Sequence, residues 1–231
     1  MPDATLSAAA ISCSAIIVAA GSSRRMGFDK LLAQLGGIPV LLRTLLAFER
    51  CAEIGEIVVV AGSDVARAID SWRAQVPKLT RIVPGGAERH LSVWNGIKAV
   101  RLDAGIVAVH DGGRPLITSG QITRCVNGAH EFGAVACARP VTETLKRADA
   151  DGCIVESIDR LGAWVMETPQ VFKRTLLVRA YEKVLHENLL VTDEVSAVQL
   201  LGARVHVVGN SSPNIKITFP ADLELAGKLL A

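Results

Sequence analysis

Three cations crowd one short stretch of this chain. Ala19-Ala20-Gly21-Ser22-Ser23 is followed by Arg24, Arg25 and, after Met26-Gly27-Phe28-Asp29, by Lys30. Small residues let a ligand approach the backbone, and the amides of a tight turn can cradle phosphate oxygens. Arg24, Arg25 and Lys30 would then neutralise a polyphosphate whose charge grows during reaction. A solvated basic loop is the plain alternative. Neither GxxxxGK[ST] nor GxGxxG is present, so this is not a Walker A loop or a dinucleotide fingerprint.

Two further turns add to the inventory. Pro84-Gly85-Gly86-Ala87-Glu88-Arg89-His90-Leu91-Ser92 runs from glycines into a helix start, with Ser92 about one turn in. His110-Asp111-Gly112-Gly113-Arg114-Pro115 places a carboxylate beside glycines and an arginine. Asp111 could hold a metal or orient a hydroxyl, and Arg114 could bind phosphate or simply pair with Asp111. Lys216 stands between Ile215 and Ile217 near the end of the chain. There is no GxSxG elbow and no HExxH. Cations, glycines and one central Asp suit phosphoryl or nucleotidyl transfer, where positioning and charge neutralisation do most of the catalysis.

These loops need a scaffold, and alternating elements predict one. Ser14–Ala20, Glu56–Ala61, Leu79–Val83, Ile106–His110 and Ala134–Ala138 are short apolar runs, as in strands covered on both faces. Helical patterns separate them: Pro39–Cys51, a segment opening at Ser63, Glu88–Val100 and Thr118–His130. The order predicts an α/β fold with a mostly parallel, doubly wound sheet flanked by helices, and each loop above follows a strand. Arg139–Ile158 is polar, β-prone and broken by Asp149, Asp151 and Gly152, so it predicts a hairpin outside the sheet. Helices over 175–187, 193–201 and 220–230 and strands over 204–208 and 214–218 complete the reading, which treats residues 1–231 as one domain.

Composition excludes several classes. Half of the 231 residues are apolar, which rules out a disordered chain. The 25 basic and 23 acidic residues nearly cancel, and aromatics are only 4%, so neither nucleic acid nor a charged membrane is an expected partner. The five cysteines form no CxxC pair and read as buried thiols in a reducing cytoplasm. Ala8–Ala20 looks superficially like a signal segment. It follows Asp3 rather than basic residues and is too short to span a bilayer, so it predicts a ragged start and a buried strand.

Taken in order, AAGSSRRMGFDK, GGAERHLSV, HDGGRP, PVTETLKR, IDRLGAWVMETPQVF, TDEVSA and NIKITFP resemble the cytidylyltransferases of isoprenoid biosynthesis, from Ala15 to Leu229. The resemblance implies a Rossmann-like nucleotidyltransferase fold with a protruding β-arm. It implies attack of methylerythritol phosphate on the α-phosphorus of CTP, with magnesium carried mainly by the triphosphate. By motif, Ala19, Ala20 and Gly21 would lie against CTP, with Arg25 and Lys30 stabilising the transition state. Gly86 and Ser92 would contact the cytidine. Asp111, Arg114, Thr144, Arg160 and Lys216 would hold the acceptor. It also implies a homodimer in which residues 139–158 form the arm, so that Thr144 and Arg160 act on the neighbouring subunit's site. Asp29, Ala87 and Gly112-Gly113 depart from the family's usual residues, while the cations and Asp111 are retained. Two other readings use the same residues: transfer to ribitol 5-phosphate or a sugar phosphate, and nucleotide binding without catalysis.

Overall fold

The computed structural model describes residues 13–21 and 29–230. In chain order its elements are β1 (Cys13–Ala19), β2 (Gln34–Leu35), β3 (Ile38–Pro39), α1 (Val40–Glu49), β4 (Ile54–Ala61), α2 (Ser63–Asp70), β5 (Leu79–Pro84), α3 (Arg89–Ala99), β6 (Ile106–Asp111), α4 (Ser119–Phe132) and β7 (Ala134–Pro140). There follow β8 (Leu145–Ala148), β9 (Ile154–Ile158), β10 (Trp164–Lys173), α5 (Arg174–His186), α6 (Glu194–Gln199), β11 (His206–Gly209) and α7 (Pro220–Leu230). Seven strands form one sheet in the order β11-β7-β10-β6-β1-β4-β5. Every pairing is parallel except the two made by β10.

The continuous apolar runs explain the sheet's two-sided burial. Successive side chains leave a strand on opposite faces, so a strand covered by helices on both sides must be apolar throughout. Ile17, Ile57, Val59 and Ala108 join one buried cluster with Leu41, Leu45 and Phe48 of α1 and Ile122 and Val126 of α4. Their neighbours Ile16, Val58, Val60 and Val107 join another, with Val93 and Ile97 of α3 and Leu177 and Tyr181 of α5. At Gly96 of α3 a Cβ would lie 2.5 Å from Ile16 Cγ2 and 3.1 Å from Val60 Cγ2. Gly96→Ala is therefore expected to lower stability despite a helix-propensity gain of about 1 kcal/mol, because overpacking costs about 1–3 kcal/mol. A urea midpoint equal to or above wild type would contradict this.

Chain order places the functional loops. β1, β4 and β5 run outward to one edge, and β6 then returns to the other side of β1. That reversal opens a crevice at the carboxyl ends of β1 and β6. Gly21, Asp111 and the Gly85-Gly86 turn after β5 all emerge there.

The structure corrects several expectations. β10 is a central strand in a segment that sequence leaves unassigned. Its polar Glu167 and Gln170 and its mid-run Pro169 argue against a buried strand. A register break between Met166 and Gln170 accommodates the proline, and buried partners satisfy the polar groups. The strand expected over Asn214–Thr218 belongs to no sheet. It is an extended segment tied by single bonds, Ile217 N–H donating to Gly113 O at 2.8 Å among them. Gly62, not Ser63, caps α2, and Ser63 is its first helical residue. Thr118 caps α4 as its chemistry suggests, accepting from the Gln121 N–H. Four cysteines are buried, but Cys153 is exposed.

The predicted hairpin is present as the separate antiparallel pair β8–β9. Its expected first residues, Arg139 and Pro140, instead close β7 and pair with Val165 and Trp164 of β10. Asp149 turns the tip, its Oδ1 accepting the backbone N–H groups of Asp151 and Cys153. Residues 8–12 of the expected ragged start lie outside the described residues.

Candidate active site

A cavity of about 460 Å³ occupies the crevice. Ala19, Ala20 and Gly21 leave β1 on one wall, and Gly86, Glu88, Arg89 and Ser92 form the opposite wall at the start of α3. The walls meet because the glycine turn has no side chains. A Cβ on Gly85 would lie 2.3 Å from Ala20 Cβ, and one on Gly86 would lie 2.4 Å from Leu91 Cβ. Ser92 Oγ accepts the Gly86 N–H at 3.0 Å and donates to Glu88 O at 3.1 Å, so the serine shapes this turn as well as lining the cavity.

Lys30, Asp111, Gly113 and Lys216 line it as well. Lys30 Nζ donates to Ile217 O at 2.7 Å, tying the first basic loop to the segment that carries Lys216. Asp111 is the hub. Its carboxylate lies 2.9 Å from Lys216 Nζ, 3.4 Å from Arg114 Nε and 3.5 Å from Arg89 Nη2. Burial pushes the Asp111 carboxyl up, but Lys216, Arg89 and Arg114 together outweigh it and hold the group well below the usual carboxylate range. Among the charged side chains that line the cavity, Lys30, Arg89 and Lys216 outnumber Asp111 and Glu88. The crevice therefore favours anions.

The polar interior of β10 braces this hub. Thr168 Oγ1 accepts the Asp111 N–H at 3.1 Å and meets His110 Nδ1 at 3.0 Å. Asn214 Nδ2 donates to Glu167 Oε2 and to Thr168 O, at 3.0 and 2.9 Å, which seats the Lys216 segment. His110 is fully buried, and burial pushes its pKa down to about 3 against the opposing pull of Asp111. Its ordinary value is about 6.5, so between these two limits the unfolded chain binds a proton that the folded chain does not. Stability is expected to rise with pH across that window, with this residue supplying about 1.4 kcal/mol per pH unit. His110→Asn should lower stability overall yet flatten the slope by about one proton between pH 4 and 6. Denaturant titrations with an unchanged slope would contradict this.

Residues 13–231 match the family model for IspD, 2-C-methyl-D-erythritol 4-phosphate cytidylyltransferase. The chain belongs to this cytidylyltransferase family. A 2-C-methyl-D-erythritol 4-phosphate cytidylyltransferase of Symbiobacterium thermophilum is 42% identical over 222 residues, covering 94% of this chain and 92% of that protein. The crystal structure of 4-diphosphocytidyl-2C-methyl-D-erythritol synthase from Anaerococcus prevotii superposes with a TM-score of 0.85 at 32% identity, covering 95% of this chain and 96% of that one. The Thermus thermophilus cytidylyltransferase structure gives a TM-score of 0.78 at 30% identity, covering 94% and 98%. The chain is thus a nucleotidyltransferase of isoprenoid biosynthesis, transferring a cytidylyl group from CTP to methylerythritol phosphate.

Of the residues that sequence singles out, the cytidylyltransferase cavity gathers Ala19, Ala20, Gly21, Lys30, Gly86, Ser92, Asp111 and Lys216. Arg114 does not line it. Arg114 sits behind Asp111 and donates through Nη1 to Asn214 O at 2.8 Å. Thr144 and Arg160 are exposed on the arm side and do not line this cavity either; Arg160 Nη1 donates to Thr142 O. Arg24 and Arg25 lie outside the described residues.

Asp111 is a poor resident metal ligand, because three cationic groups already surround its carboxylate. Among the described residues no cluster of three or more His, Cys, Asp or Glu could hold a metal ion. The donor set does not fit a protein-held magnesium. Sequence reasoning missed Arg89, Glu194, Thr168 and Asn214. Their motifs are visible, but their roles depend on partners distant along the chain.

Proposed function

We propose that this cavity holds both substrates of the cytidylyl transfer, with CTP between the Gly21 turn and the Gly86–Ser92 turn and the acceptor at Asp111 and Lys216. The observation that carries this reading is the meeting of Lys30 and Lys216, joined through Ile217 O, in one cavity beside Asp111. In the reaction an acceptor phosphate oxygen bonds to the α-phosphorus of CTP. The bond from that phosphorus to the β-phosphate oxygen breaks, and pyrophosphate leaves with the electron pair. Two anions must approach while charge builds on the leaving group. Lys30 and Arg25 neutralise the triphosphate, and Lys216 neutralises the acceptor phosphate. Asp111 accepts a hydrogen bond from an acceptor hydroxyl. Arg114 acts from behind, holding the Asn214–Lys216 segment.

Magnesium enters on the triphosphate as part of the substrate. The active form is a homodimer whose arm, residues 141–158 with the following Arg160, carries Thr144 and Arg160 to the neighbouring site. Exposed Ile154, Val155 and Leu161 on and beside the arm support that assignment, since isolated apolar side chains on a two-stranded pair find cover in a partner. Residues 1–231 then form one nucleotidyltransferase unit. Unpaired cysteines suit a reducing compartment, the cytoplasm. Among the described residues no helix is long and apolar enough to cross a membrane.

A panel of nucleoside triphosphates and acceptors, scored by pyrophosphate release, tests the substrate assignment. CTP with methylerythritol phosphate should far exceed CTP with ribitol 5-phosphate or a sugar phosphate. Comparable release from those acceptors would overturn it.

A further inference from the structure

Glu194 is the least expected charge in the molecule. It opens α6 and has no exposed surface. Its carboxylate accepts from Arg89 Nη1 at 2.7 Å and Nη2 at 3.2 Å, and from Tyr181 Oη at 3.0 Å. Its backbone is fixed as well: Gln170 Oε1 accepts the N–H groups of Glu194 and Val195. The same Arg89 Nη2 that reaches Glu194 lies 3.5 Å from Asp111 Oδ1. A chain of contacts thus runs from a buried carboxylate, through one guanidinium on the cavity wall, to the hub of the site.

We propose that Glu194 is a positioning residue that acts through Arg89 to keep Asp111 available to the acceptor. The proposal rests on the reading of Asp111 as an acceptor-binding group. A buried ion pair is weak evidence for a stabilising role, since apolar packing often serves as well. Here the pair has a second consequence. An uncommitted arginine on this wall would close its planar fork onto Asp111 or onto a substrate phosphate. Glu194 occupies the fork and leaves Asp111 one long contact from that side. Lys216 and Arg114 approach the other oxygen, Oδ2. Oδ1 therefore keeps capacity for an incoming hydroxyl.

The test is a cycle of E194Q, D111N and the double variant, with separate KM values for CTP and methylerythritol phosphate and a thermal midpoint for each protein. E194Q is expected to raise the acceptor KM roughly tenfold and to leave the CTP KM within about twofold, a split that a general loss of structure does not produce. In the D111N background E194Q should add nothing to the acceptor KM, because both act through one carboxylate. An unchanged acceptor KM in D111N would refute the reading of Asp111 itself. A raised value in D111N but not in E194Q would overturn the positioning role alone. So would an E194Q effect that persists undiminished in the D111N background, or equal rises for both substrates. If E194Q does not fold, Tyr181→Phe takes its place under the same criteria. It removes one donor to the same carboxylate and keeps both charges, with an expected rise of about threefold.

Discussion

Lys30→Ala is expected to lower turnover about 100-fold, equivalent to about 2.7 kcal/mol of transition-state stabilisation. The reason is electrostatic. Breaking the bond to pyrophosphate shifts negative charge onto the departing oxygens, and a preorganised cation in a partly dry crevice stabilises that charge more than it stabilises bound CTP. Lys30 also donates to Ile217 O, so alanine removes a structural tie along with the charge. Lys30→Gln separates the two effects. An amide can still donate towards that carbonyl but carries no charge, and turnover should fall nearly as far. Full recovery of turnover in the glutamine variant would place the effect in the tie rather than in catalysis. Near-normal turnover in both variants would remove Lys30 from the mechanism.

Arg160→Ala should lose about as much activity, again about 100-fold by analogy with loss of a transition-state donor. The loss should be repairable by a second defective chain. If the arm serves the neighbouring subunit, a mixed dimer of Lys30→Ala and Arg160→Ala chains contains one site with both defects and one with neither. Statistical mixing makes about half of the dimers mixed, so roughly a quarter of wild-type activity should return. If Arg160 serves its own chain, every site in the mixture carries a defect and activity stays at background. The exposure of Thr144 and Arg160, away from their own cavity, favours the first outcome.

What sequence made legible follows from how locally each feature is encoded. β1, β4 and β6 were readable because burial on both faces demands unbroken apolar runs. β10 was not, because Glu167, Thr168 and Gln170 are acceptable inside the sheet only through partners such as Asn210, Asn214 and α6, none of them near in sequence. The alternation around Lys216 suggested a strand. Ile217 is indeed buried, but its backbone is held by Gly113 and by a lysine side chain instead of a ladder. Gly21, Gly86 and Asp111, which line the cavity, were readable because they stand at or directly after apolar runs. The Arg89–Glu194 pair was not, since its members stand 105 residues apart and only the seating of α6, packed on α5 and tied to Gln170 of β10, unites them.

A crystal structure of the protein with an inert CTP analogue and methylerythritol phosphate would test the central claim most directly. It should show the triphosphate within hydrogen-bond distance of Lys30. The acceptor phosphate should lie between Lys216 and the partner subunit's Arg160, with an acceptor hydroxyl on Asp111. An acceptor bound away from Lys216, or a triphosphate that leaves Lys30 untouched, would contradict the account.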